Sequence, residues 1–146
     1  NFFNNSSGTN YFYVHSAIEK NIGKIISVVK LDGIIKGKND EIGLKLAMHI
    51  AASNPLAIDK DGIDKSIVNK ELEIIKAEIT NSGKPAEMAE KISKGKISKF
   101  LNDNSLLNQL WIMDPKKKVS DILKENSSDK EIKILQFIKY KVGEGV

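Results

Sequence analysis

Apolar positions along this chain fall into two periods. Residues 11–15 (Tyr-Phe-Tyr-Val-His) and 22–31 (Ile-Gly-Lys-Ile-Ile-Ser-Val-Val-Lys-Leu) are rich in aromatic and β-branched side chains and predict two strands. The six residues between them suit the loop of an antiparallel hairpin, and Asp32-Gly33 breaks the second strand. From Leu44 the period changes. Leu44, Ala47, Met48 and Ala51 recur at i, i+3, i+4 and i+7, which predicts a helix with that face packed and with His49 one residue off it. Asn39 or Asp40 can cap its start. Asn54 precedes Pro55, which disfavours helical backbone before it, so the helix should end there. Further helices are predicted over 64–80, stopped by Asn81-Ser82-Gly83, and from Pro85 to about residue 101, since a proline in the first helical turn loses no hydrogen bond. A polar break at 102–104 precedes an apolar patch at 106–113. Asp114-Pro115 then turns the chain into a short helix at 119–126 and a final strand at 132–142.

Two strands, then helices, then a strand imply an α+β fold. The expected architecture is an antiparallel three-stranded sheet, made of the hairpin and the returning C-terminal strand, with helices covering one face. Residues 1–10 are expected as a flexible leader and 11–146 as one domain.

Composition narrows the class. At 146 residues, with 40% hydrophobic and 29% charged residues, the chain can bury a core of ordinary size, and no apolar run approaches the roughly 20 residues of a membrane span. It reads as a soluble protein. It starts at Asn1 without an initiator methionine, and its first ten residues lack the charged start and apolar centre of a signal peptide, so it reads as a fragment. No cysteine is present, which excludes disulfide and thiolate chemistry and is compatible with a reducing cytoplasm. The net charge of +4 invites a nucleic-acid reading. Every one of the 23 basic residues is lysine, however, so the planar fork that grips phosphate or guanine is missing. Acids also interleave with the lysines, as in Lys70-Glu71-Leu72-Glu73-Ile74-Ile75-Lys76. Only Lys116-Lys117-Lys118 is a basic run, and it reads as a solvated loop.

No reaction chemistry emerges. Ser82-Gly83-Lys84-Pro85 lacks the earlier glycine of a phosphate loop, where Glu78 stands, and has proline in place of its hydroxyl residue. Gly143 and Gly145 lack the third glycine and following helix of a dinucleotide fingerprint. Asp59, Asp61 and Asp64 lack the distal glutamate of a calcium loop, where Lys70 stands, and read as helix-capping residues. His15 and His49 have no metal-ligand spacing with a carboxylate, and nothing nominates a nucleophile with its base. The expectation is a protein without catalytic residues, cofactor or metal. The small residues Ala47, Ala51, Ala52 and Ser53 let another backbone approach closely, and an imidazole at the edge of such a face either meets a partner or satisfies a local carbonyl at a core boundary.

Four blocks carry a family resemblance: Met48-His-Ile-Ala-Ala-Ser-Asn-Pro55; Ser82-Gly-Lys-Pro-Ala-Glu-Met-Ala-Glu-Lys-Ile-Ser-Lys-Gly95; Asp114-Pro-Lys-Lys-Lys-Val-Ser-Asp-Ile-Leu123; and Tyr140-Lys-Val-Gly-Glu-Gly145. In order and spacing they resemble the bacterial elongation factor Ts family. The resemblance implies the core, or dimerisation, region of a guanine nucleotide exchange factor that binds elongation factor Tu, promotes GDP release and binds no nucleotide itself. It further implies cytoplasmic localisation, a possible second copy as partner, and a protruding helical pair at about 91–126, with the patch around Trp111 where that pair folds back. The partner contacts it implies fall on Ile22, Gly23 and His49. Two departures bear on function. The family's amino-terminal module and its Thr-Asp-Phe-Val segment, which disturbs the partner's magnesium and phosphate site, are not in this sequence, and Asn21 stands where the family has arginine. The rival expectation is a lysine-rich RNA-binding domain of the translation machinery that uses Tyr11, Phe12 and Tyr13 on an exposed strand face.

Overall fold

Alternation in the two amino-terminal strands produces the hairpin that the sequence predicts. The computed structural model describes residues 7–15 and 25–141. Its elements in chain order are β1 (Thr9–His15), β2 (Ile25–Asp32), α1 (Asp40–Ser53), α2 (Lys65–Asn81), α3 (Ala86–Asn104), a 3-10 turn at Leu106–Asn108, β3 (Leu110–Trp111), β4 (Asp114–Lys118), α4 (Val119–Asn126) and β5 (Lys133–Lys141). They divide into two units: Pro55–Gln109 forms one, and the segments on either side of it together form the other. The expected helical excursion at 91–126 straddles this division, with α3 in one unit and α4 in the other.

In the first unit β2 is the central strand. It pairs antiparallel with β1 from Thr9↔Leu31 to His15↔Ile25, and on its other edge with β5 from Ile25↔Lys141 to Asp32↔Lys133, with an irregularity at Lys30/Leu31. The mixed fold with a three-stranded antiparallel sheet is therefore α+β, as the element order implied. Alternation sends Tyr11, Ser27 and Val29 to one face, where α1 packs. Ser27 Oγ donates to the Ala47 carbonyl, and Gly43 lies flat against the Tyr11 ring. The opposite face carries the rows Phe12–Val28–Ile138 and Val14–Ile26–Tyr140, of which Phe12 is 68% and Tyr140 63% exposed.

The packed face of α1 matches the expected one in part. Ala47 and Ala51 are buried, but Leu44 and Met48 point outward, and Ile42, Leu46, His49 and Ile50 complete the buried stripe, so His49 belongs to that stripe instead of lying beside it. The helix is apolar over most of its circumference, so two sets of residues can be packed, and the larger side chains Leu46 and Ile50 occupy the core together with the imidazole. Asn54 ends α1 in the left-handed region (φ 47°), its N–H donating to the Ile50 carbonyl. Asn39 does not cap the helix with its side chain. Its Oδ1 accepts the Ile35 N–H and its Nδ2 donates to the Asn126 carbonyl, tying the β2–α1 loop to the end of α4. The lysine run is also not a loop, because Lys116–Lys118 belong to β4, a short strand paired with β3.

In the second unit α2 and α3 form a helical hairpin. Val68, Leu72, Ile75 and Ile79 are the less exposed apolar positions of α2, and Ala89, Ile92, Ile97, Phe100 and Leu101 those of α3. Burial is slight: Ile75 and Ile79 are buried in α2, and no residue of α3 is. Asp64 Oδ1 caps α2 through the Ser66 N–H, and Asp59 Oδ1 accepts the Gly62 N–H, so these acids close a turn and a helix end. Leu56 N–H donates to the Asn104 carbonyl, and Ala57 bridges Ser105, which brings the two ends of the unit together.

Candidate partner-binding groove

α1 presents different chemistry on adjacent residues. His49 is fully buried, and its ring stacks on Trp111 with centroids 5.2 Å apart and planes inclined by 15°. Its Nδ1 accepts the backbone N–H of Ile112 at 3.3 Å, which requires that nitrogen to be unprotonated. Trp111 is itself core, packed at the base of the β3–β4 hairpin.

Met48, one position earlier, is part-exposed at 37%. With Ala51 and Ala52 of α1, Tyr13 and His15 at the end of β1, Ile25 at the start of β2, and Ile112 at the hairpin tip, it lines a groove of about 390 Å³ whose walls are mostly apolar. The two alanines keep the floor low, as expected of small residues on a helix that another backbone approaches. Tyr13 and His15 contribute the polar rim, with the tyrosine hydroxyl 3.1 Å from His15 Nδ1.

Of the expected contact residues, His49 therefore sits beneath the groove wall. Ile22 and Gly23 lie outside the described residues, although Ile25 just after them and His15 across the strand pair both line the groove. The sequence singled out Tyr13 only as an aromatic for RNA and His15 only as a histidine without metal-ligand spacing, and it did not single out Ile25 or Ile112. These four come from three separate stretches of chain, and the one available signal was the apolar patch at 106–113.

The titratable groups that depart from ordinary behaviour have structural causes. Asp40 is held below the usual carboxylate range, first by the Gly37 N–H and then by the Tyr11 hydroxyl, which donates to Asp40 Oδ1 at 2.5 Å. Burial, and next that same hydrogen bond, pushes the Tyr11 phenol well above its usual value. Asp32 is lowered by Lys130 and by the Gly33 N–H, and Lys117 is raised by Glu125. None of these groups lines the groove, and among the described residues no three His, Cys, Asp or Glu come together in a group that could hold a metal ion. No helix of the described residues is long and apolar enough to cross a membrane.

Comparison with known proteins agrees with the four blocks. Residues 1–144 match the family model described as Elongation factor TS. The chain is 38% identical to elongation factor Ts of Nitrobacter hamburgensis over 97% of its own length and 47% of that protein. It is also 38% identical to the Sphingopyxis alaskensis factor, over 97% and 47%, and 34% identical to that of Zymomonas mobilis, over 92% and 45%. It thus spans about half the length of the curated relatives it matches, and over that span it belongs to the elongation factor Ts family.

Proposed function

We propose that this chain is the core part of a cytoplasmic guanine nucleotide exchange factor that binds elongation factor Tu and promotes GDP release during translation elongation. It does so without catalytic residues, cofactor or nucleotide site of its own. The observation that carries the reading is the apolar groove at the end of the sheet, built from elements that flank positions 22 and 23 and that include the neighbours of His49. Partner contact falls on Ile22, Gly23 and the groove walls, with His49 contributing from below. Calorimetric titration of elongation factor Tu, with and without GDP, tests it. Met48→Asp puts a charge into the groove from a position that is 37% exposed, so affinity should fall at least tenfold while the melting temperature hardly moves. Unchanged affinity would refute the groove as the contact surface.

Nucleotide expulsion needs contacts that favour the nucleotide-free state of the partner, and the Thr-Asp-Phe-Val segment is missing from this sequence. The chain alone should therefore barely accelerate GDP release in stopped-flow measurements. Acceleration matching that of an intact factor would contradict this.

The outer sheet face, with Phe12, Val14, Ile26 and Tyr140 exposed, suits burial against a second copy or the remainder of a longer factor, and sedimentation at rising concentration reads the first alternative. The same face is what supports an RNA-binding reading, but Tyr11 is buried and Tyr13 half-buried, which leaves Phe12 alone of the three expected aromatics. Ribosomal RNA binding that weakens steeply with salt would favour that alternative, whereas partner binding at an apolar groove should depend on salt far less.

A further inference from the structure

We propose that His49 is a positioning residue for the partner-binding groove: as a buried hydrogen-bond acceptor it fixes the hairpin tip that supplies the Ile112 wall. The proposal rests on the groove being the partner site. Trp111 pairs with Asp114, so Ile112 and Met113 form a two-residue turn between β3 and β4. Such turns normally take Asn, Asp or Gly, because the favoured types need positive φ. Here both positions are large apolar residues, neither has positive φ, and their side chains are 40% and 42% exposed. Local turn chemistry therefore does not specify this tip.

Two contacts from α1 do. The imidazole stacks on Trp111 at the base of the tip, and Nδ1 takes the Ile112 N–H, an amide that pairing within so short a hairpin leaves to an outside acceptor. Met48, Ala51 and Ala52, the groove residues of α1, lie within three positions of His49, so one helix sets both the floor and, through the imidazole, the Ile112 wall. A contact role needs an accessible ring, and His49 has none. The positioning role uses the ring where it is.

Two substitutions separate the acceptor from the ring. His49→Phe keeps an aromatic on Trp111 but has no acceptor. His49→Asn loses the stack but carries Oδ1 at the same number of bonds from Cβ as Nδ1. Amide hydrogen exchange of Ile112, followed by NMR, reads the latch directly, and titration with elongation factor Tu reads its effect. The wild-type Ile112 amide should be protected despite its place at a turn tip. That protection should collapse in His49→Phe and persist in His49→Asn. Affinity should fall about five- to tenfold in His49→Phe, the equivalent of one neutral hydrogen bond, and recover in His49→Asn even where the melting temperature does not. An unprotected Ile112 amide in the wild type, or unchanged protection in His49→Phe, overturns the proposal, as does affinity that simply follows melting temperature across the variants. Failure of the wild-type chain to bind elongation factor Tu would instead remove the functional reading, leaving the exchange data to decide the latch.

Discussion

Gly43 shows how closely residue identity is constrained under the sheet. A Cβ at this position would come within 2.2 Å of Cδ2 of the Tyr11 ring, and the ring cannot retreat freely because its hydroxyl is bound to Asp40. Gly43→Ala should cost about 1–3 kcal/mol in thermal or denaturant unfolding, against the stabilisation that alanine normally brings to a helix interior. The surroundings of this pair, first the Gly37 N–H on Asp40 and burial on Tyr11 and then the hydrogen bond between them, give the fold a pH dependence with a definite sign. Asp40 has its folded-state pKa depressed, so its contribution is complete above the ordinary carboxylate value of about 4 and is lost as pH falls through the folded value. Asp40→Asn should flatten the acid limb of the stability curve and leave its neutral part parallel to wild type. Tyr11, raised, behaves in the opposite sense: its contribution is present below about pH 10 and lost on going higher. At this scale the sequence announced that His49 was unusual but not in which direction it faced. Periodicity counts histidine as polar, and only its complete burial and its stacking on Trp111 show that the imidazole completes the core.

Among the elements, regular periodicity with clear terminators was legible. The short helix falls on Val119–Asn126 as expected, Asn81 and Asn54 close α2 and α1 near their stop signals, and the last strand lies within a residue of its predicted limits. The β3–β4 hairpin was not legible. Its ladder is two pairs long, its tip lacks turn residues, and its second strand is a proline followed by lysines, none of which is a strand signal. The hairpin exists because Trp111 is buried and because α1 supplies the partners. Similarly, no local pattern could reveal a groove whose walls are drawn from β1, β2, α1 and a turn. The helical pair offers a prediction of its own. Gly95 lies within α3 with nothing near the position of a Cβ and without positive φ, so Gly95→Ala should stabilise by about 0.5–1 kcal/mol, read as a higher melting temperature for Pro55–Gln109. A loss of stability would mean that α3 is not an exposed helix at that point.

For the whole molecule, the clasp between Leu56–Ala57 and Asn104–Ser105 makes the helical pair an insertion whose ends already meet. Replacing residues 59–103 with a flexible Gly/Ser linker of about eight residues, long enough to span that gap, should leave the other unit folded. Trp111, the only tryptophan and buried beside His49, is its built-in reporter, and its near-ultraviolet circular dichroism should survive the excision. The strand order β1-β2-β5 carries a separate consequence, one of time. The ribosome delivers β2 before the strand that closes its second edge, with both helices of the insertion synthesised in between. Long-range pairing of this kind is slow to form, and until it forms β2 shows an open edge beside a largely apolar face. A nascent chain is thus a template for unwanted strand addition from the synthesis of β2 until that of β5, and a stop codon between the two would release a molecule primed to aggregate.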